Sequence, residues 1–323
     1  MNVLTILALS IAAGLALNIG ANNAGVHMAP AFGAGARGKW ASLILFAVFA
    51  LAGALTLGRK VTETVGKGLF TASLDTHPWL FLVVAPVITV VLLSLSNYLR
   101  QPVPTTLVAI CSLLGVGLAH GILNGHKVLV MLVWWVVTPF ATLATTWFAG
   151  KILHTKFPGI LNPGSLSPRT RSVVGWLLTI EGCYSSFAIG SNNVAKSIGP
   201  IVGAGTLSPL QATILGGTGM ALGGLLWGGR VLETVGKGIT ELGYVQALVV
   251  GVAAATGLVI ASVFGAPVSG ACIVTMGVIG FGMATQAKRT EAESRNVRRI
   301  AILWATGPAF AILVSYIIVL AVR

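Results

Sequence analysis

Apolar runs about twenty residues long recur along this chain with little charge inside them, and that pattern leaves few folds open. A helix needs about 20 apolar residues to cross the hydrocarbon core of a bilayer. Ten segments qualify, at about 3–20, 40–57, 79–97, 103–122, 128–149, 173–190, 209–227, 245–263, 267–285 and 300–322. In lipid every backbone polar group must be bonded internally, and runs of this length do so as helices. Charged residues are 8% of the chain, against about 25% in soluble domains, so lipid is its solvent. The expected fold is an all-α integral membrane protein. The stretches 20–36, 58–72, 190–206 and 228–242 are too polar for simple spans and too apolar for loops; they are expected to be broken or re-entrant helices.

The formal net charge of +13 does not point to nucleic acid, because the basic residues fall in short loops between apolar runs. Such loops orient a membrane protein by their positive charge. The Pro-rich and basic stretch 151–172 reads as a cytoplasmic linker. Placing it inside puts 14 of the 20 Lys and Arg inside and both termini outside. Cys111, Cys183 and Cys272 lie in apolar runs without paired or metal-like spacing and read as small buried hydrophobes. The five histidines show no ligand spacing, so no metal centre and no cofactor are expected. The first 24 residues resemble a signal peptide only in their apolar core; without a basic leading segment they belong to the fold.

The chain is internally duplicated. An offset of 170 residues aligns NIGANNAGVHMAPAFGAGA, beginning at Asn18, with AIGSNNVAKSIGPIVGAG, beginning at Ala188. Gly20, Asn22, Asn23, Pro30, Gly33, Ala34 and Gly35 all recur. The same offset aligns GRKVTETVGKG (58–68) with GGRVLETVGKG (228–238), identical at 8 of 11 positions. Two motifs in one register make the chain a duplicated half, residues 1–150 and 173–323 around the linker. Five spans per half is an odd number, so the halves have opposite orientations, the architecture of secondary transporters.

Amides in hydrocarbon carry donors and acceptors that lipid cannot satisfy. At Gly20, Asn22 and Asn23, and at Gly190, Ser191, Asn192 and Asn193, a helix break would offer free N–H groups to an anion; the alternative is tight helix packing through Gly and Asn. Duplication at symmetric positions favours a substrate site. Glu63 and Glu233 recur before Gly-Lys-Gly, and either serve ions or protons or form i,i+4 pairs with Lys67 and Lys237. Glu181 stands alone in a span, as a proton carrier or as a neutral acid bonded to a carbonyl. A weaker correspondence links QPVPTTL (101–107) with APVSGAC (266–272). Thr105, Thr106 and Ser269 there either face the same site or bond back to their own helices. Lys196 either attracts an anion at the outer mouth or snorkels to the interface.

These elements resemble the inorganic phosphate transporter (PiT) family: the duplicated Gly-Ala-Asn-Asp signature, the element around VTETVGKG, and a Pro-Val-Ser-Thr-Thr element matched by PVPTT. The resemblance spans nearly the whole chain in order. It implies an inverted-repeat, dimeric, ion-coupled transporter of a tetrahedral oxyanion. It places the signature's Asn at Asn22 and Asn192, the hydroxyl element at Thr105, Thr106 and Ser269, and the acids at Glu63 and Glu233.

One departure sets the substrate. Where the phosphate carriers have Asp, this chain has Asn23 and Asn193. A carboxylate accepts the proton that phosphate still carries; beside fully deprotonated sulfate it adds repulsion and an unmet acceptor. An amide NH₂ donates instead. The chain is therefore similar to the sulfate-permease branch of the family. It is expected to import sulfate, or a relative such as thiosulfate, in a bacterial inner membrane. Proton coupling through Glu63, Glu233 or Glu181 is expected, with sodium the other coupling ion. The alternatives are a phosphate symporter and a passive anion channel. An enzyme acting on lipids would show acidic metal-binding clusters, and the seven acids here are dispersed.

Overall fold

The computed structural model describes residues 3–74, 78–98, 104–161, 167–285 and 291–322. They form the helices α1 (Val3–Gly33), α2 (Lys39–Thr56), α3 (Gly58–Glu63), α4 (Ala85–Tyr98), α5 (Thr105–Ala119) and α6 (Gly125–Lys156). After the linker come α7 (Pro168–Gly203), α8 (Pro209–Leu242), α9 (Tyr244–Val263), α10 (Gly270–Ala284) and α11 (Glu291–Val322). Among the described residues six helices are long and apolar enough to cross a membrane: α1, α2, α6, α7, α9 and the Ile302–Val322 part of α11. Three shorter apolar helices, Leu80–Leu92, Thr105–Ala119 and Gly270–Ala284, accompany them. The linker begins inside α6, turns once at Pro158–Leu161 and ends in α7; residues 162–166 lie outside the described residues.

Three of the four expected breaks are continuous helix. α1 runs unbroken through Asn22 and Asn23, α7 through Asn192 and Asn193, and α8 through 228–242. The glycines that suggested unwinding instead allow helices to touch. A Cβ on Gly20 would lie 1.9 Å from the Met220 carbonyl oxygen, and one on Gly190 2.1 Å from that of Ala50. Gly53 and Gly223 make the same approach to Phe187 and Leu17, at 2.0 and 1.9 Å. Gly33 and Gly203 do so against Gly236 and Gly66, at 2.5 and 2.2 Å. Each second contact is the first with 170 added to one partner and subtracted from the other. The halves thus exchange helices: α1 packs on α8 and α2 on α7, while α5 packs on α11 and α6 on α10. In lipid, where apolar burial drives little association, such backbone approach supplies the packing energy.

Only 58–72 departs from α-helix. α3 ends at Glu63 and Thr64–Gly68 widens into one π-helical turn. α1 and α7 end alike: Gly35 and Gly205 take φ of +70° and +66°. The amides of Ala36 and Thr206 then donate to Ala31 and Ile201, a left-handed close that glycine adopts without steric cost. α7 is the central helix, buried from Ala188 to Gly203 against α1, α2 and α9.

Candidate anion-binding site

Asn18 and Asn22 stand one turn apart on α1, and the Asn22 Nδ2 donates to Asn18 Oδ1 at 2.9 Å. The Asn23 Nδ2 donates to the Ile19 carbonyl at 2.7 Å. Each amide is thereby held while keeping a further N–H. This face of α1 meets α4, α5 and α7 around a cavity of about 50 Å³, room for about four water-sized groups. That is the scale of an ion with four oxygens. Among the described residues its polar lining is Asn18, Asn22, Asn23, Thr89, Thr105 and Lys196, with no carboxylate.

Among the described residues that line the cavity, Lys196 carries the one formal charge. It is 7% exposed, and its Nζ donates to Thr105 Oγ1 at 3.2 Å. Among the described residues the ion pairs are Lys39–Glu233 and Arg59–Glu63, so no carboxylate neutralises this ammonium. A buried charge is costly unless paired, and a cavity of amide and hydroxyl donors beside an ammonium is complementary to an anion.

The second asparagine pair does different work. Asn192 is fully buried; its Nδ2 donates to Ser262 Oγ and the Ala266 carbonyl, both at 3.0 Å, and its Oδ1 accepts from the Val268 amide at 3.0 Å. Trp135 Nε1 donates to the Pro267 carbonyl between them at 2.7 Å. Asn192 therefore staples α7 to the segment joining α9 and α10. Ser191 lies in the same staple, its Oγ 2.8 Å from the Ala188 carbonyl and 3.1 Å from Ser262 Oγ. Asn193 is buried with its Oδ1 unpartnered. The first copy of that segment, residues 99–103, lies outside the described residues.

Of the other residues singled out in the sequence, Thr105 reaches the cavity while Thr106 is buried away from its lining. Ser269 caps α10, its Oγ accepting from the Cys272 amide at 3.4 Å. Gly20 and Gly190 are packing contacts, as described above. Glu63 pairs with Arg59 at 2.9 Å rather than with Lys67, and Glu233 with Lys39 of α2 at 2.6 Å. The Lys237 side chain lies outside the described residues. Both acids are at the surface, 42% and 48% exposed, and apart from the cavity. Glu181 is buried, packed where Gly251 of α9 leaves space for its carboxyl group.

Asn18 and Thr89 were not legible as site residues, although Asn18 stands at i−4 from Asn22, the spacing that puts two side chains on one helix face. Lys196 does not extend to the protein surface: it is 7% exposed and turns its Nζ to Thr105.

Residues 19–158 and 162–315 match the family model described as the phosphate transporter family, PHO4. The sulfate permease CysP of Bacillus subtilis is 33% identical over 94% of this chain and 84% of its own length. A putative phosphate permease of Pyrococcus furiosus is 28% identical over 97% of this chain and 95% of its own. A solved structure titled the sodium-dependent phosphate transporter superposes with a TM-score of 0.80 at 21% identity, each chain 99% covered, so the fold is a transporter's. The chain belongs to the phosphate transporter family.

Proposed function

We propose that this protein is a secondary transporter that imports a tetrahedral oxyanion, sulfate first, by proton symport. The observation that carries the reading is the cavity between α1, α4, α5 and α7, lined among the described residues by amides, hydroxyls and one buried ammonium, with no carboxylate. A fully deprotonated dianion offers only acceptors. Each donor here has a use against it, and no lining group repels it. The 33% identity to a sulfate permease supports the same substrate. Residues 1–150 and 173–323 are taken as the two inverted repeats, whose exchanged helices meet at this site. The protein works as a homodimer in a bacterial inner membrane with both termini outside.

Phosphate is the second reading, favoured by relatives named as phosphate permeases and by the amide oxygen of Asn22, a possible acceptor for a phosphate proton. Radiolabelled sulfate uptake into proteoliposomes, under a proton or a sodium gradient and with phosphate or thiosulfate as competitor, separates them. Proton-driven accumulation blocked by thiosulfate and not by phosphate is the expected result. Accumulation of phosphate in its place overturns the sulfate reading, and equilibration without accumulation indicates a channel.

A further inference from the structure

A second cluster of polar groups lies apart from the anion cavity, where α1, α7 and α9 meet. His27 Nδ1 is 2.5 Å from Ser185 Oγ, and Ser185 stands one turn after Glu181 on the same face of α7, its hydroxyl beside the Glu181 carboxyl group. The three residues are 7%, 5% and 3% exposed. The second carboxyl oxygen of Glu181, Oε2, is buried without a partner among the described residues. Two glycines make the arrangement possible. A Cβ on Gly182 would lie 2.8 Å from Met28 Sδ, so its absence lets α1 approach α7; one on Gly251 would lie 2.2 Å from Glu181 Oε1.

The cluster shares both of its helices with the anion cavity. Lys196 meets α1 at the level of Asn18 to Asn23, Ser185 meets it at His27, and Gly182 at Met28. The two helices are therefore antiparallel, and His27 lies one turn, about 6 Å, beyond Asn23 on the same face of α1. Glu181, Ser185, Ile189 and Asn193 form the facing stripe of α7 at i,i+4 spacing. The remaining ionisable groups of this region, Arg37, Cys183 and Tyr184, line a separate groove that includes Leu45 and Phe49 of α2. Arg37 stacks on Trp176 at 3.9 Å, and the Tyr184 hydroxyl donates to Thr256 Oγ1 of α9 at 3.3 Å. Glu63 and Glu233 are held in surface ion pairs, which leaves Glu181 as the buried acid among the described residues.

We propose that His27, Ser185 and Glu181 are the site of the coupling proton, bound as a relay of three groups; this rests on the symport reading above. With Glu181 ionised, His27 Nδ1–H donates to Ser185 Oγ and the Ser185 hydroxyl donates to the carboxylate. A proton arriving at His27 Nε2 releases the Nδ1 proton to Ser185 Oγ, and the serine passes its own proton to Glu181. One proton enters and one resides on the acid. Both hydrogen bonds reverse direction, and the imidazole changes tautomer. An ionised carboxylate enclosed by helix is costly, so the cluster favours helix arrangements that admit a proton or water until it is neutralised. Because α1 carries both His27 and the cavity amides, that preference is transmitted to the anion site.

The test compares gradient-driven accumulation with counterflow exchange in proteoliposomes holding Glu181→Gln, Ser185→Ala or His27→Gln. Sulfate and phosphate are assayed in parallel, and the relay is judged on whichever anion the wild type accumulates, so a wrong substrate does not count against it. A dye inside the vesicles reports proton entry. The expected result is that Glu181→Gln and Ser185→Ala lose accumulation and the anion-dependent proton entry, while exchange of the labelled anion continues. Undiminished proton-driven accumulation in Glu181→Gln overturns the proposal. So does wild-type accumulation driven by sodium alone or by neither gradient. Loss of exchange together with accumulation in all three variants assigns the cluster to structure and overturns it as well.

Discussion

Replacing Lys196 by methionine separates a binding ammonium from a structural one, because the two roles predict opposite signs for affinity and stability. An oxyanion bonded to the Nζ would place unit charges about 4 Å apart, worth about 4 kcal/mol per pair of charges at an effective dielectric of about 20. A dianion doubles that gross figure, and screening reduces it. Truncating one partner of a buried, hydrogen-bonded charge pair costs 2–5 kcal/mol in measured complexes. A loss of about 3 kcal/mol, a fall in sulfate affinity on the order of 100-fold, is therefore expected for Lys196→Met. The unliganded protein should respond the other way. Lys196 donates to one hydroxyl and has no carboxylate partner among the described residues. Exchanging a buried charge for an apolar side chain of similar length is often neutral or stabilising by about 1–4 kcal/mol. Concentration-dependent uptake gives the apparent affinity, and thermal unfolding of the detergent-solubilised variant gives the stability. An apparent affinity within threefold of wild type, or an affinity loss accompanied by a lower Tm, would refute the assignment of Lys196 as the counter-charge.

Asn23→Asp restores an acid to the cavity wall; at about 4 Å it would repel a dianion by about 4 kcal/mol per unit charge at a dielectric of about 20. Sulfate uptake should fall by more than 100-fold while phosphate inhibition strengthens, read in one competition series. Asn192→Ala strands the Val268 amide and the Ala266 carbonyl, each a buried group costing about 1–3 kcal/mol when left unpaired. Folded yield and Tm should drop, with the sulfate affinity of whatever folds unchanged. Glu63→Gln and Glu233→Gln break surface ion pairs worth about 0–1 kcal/mol, so proton-driven accumulation should stay within about twofold of wild type; loss of coupling in either variant would return these acids to the mechanism.

The helical membrane class was legible because long apolar runs admit few alternatives, and the exchanged packing of the halves was foreshadowed by the 170-residue register. The helix breaks were misread because Gly-Ala-Asn-Asn looks the same whether its glycine frees the backbone or lets a neighbour touch it. Gly20 does the second, against the Met220 carbonyl. Asn23 is satisfied by the Ile19 carbonyl one turn back, a bond that leaves the helix intact. Glu63 and Glu233 were expected to pair with Lys67 and Lys237 if they formed ion pairs, and they pair with Arg59 and Lys39 instead. The Arg59 pairing lies at i−4 and could have been read; Lys39 is 194 residues from Glu233 and could not.

Duplication does not give both copies of a motif the same surroundings. The same amide at the same register is open to a cavity as Asn22 and fully bonded to protein as Asn192. Ser262, which accepts from Asn192, donates its own hydroxyl to the Leu258 carbonyl, so the staple is anchored to a helix of its own half. The two copies have also diverged in what surrounds them. Val26 in the first half corresponds to Lys196 in the second, and His27 to Ser197. Each half thus contributes a titratable or charged group that the other lacks: the ammonium beside the anion cavity comes from the second copy, the imidazole of the buried cluster from the first. Because α1 and α7 are antiparallel, these unmatched residues fall at different depths along one helix pair. An inverted repeat that was symmetric in these side chains would place equivalent charges at both depths. The divergence instead puts Lys196 and the His27–Ser185–Glu181 cluster at separate levels, the separation that the proposed anion and proton sites need if one helix contact is to serve both.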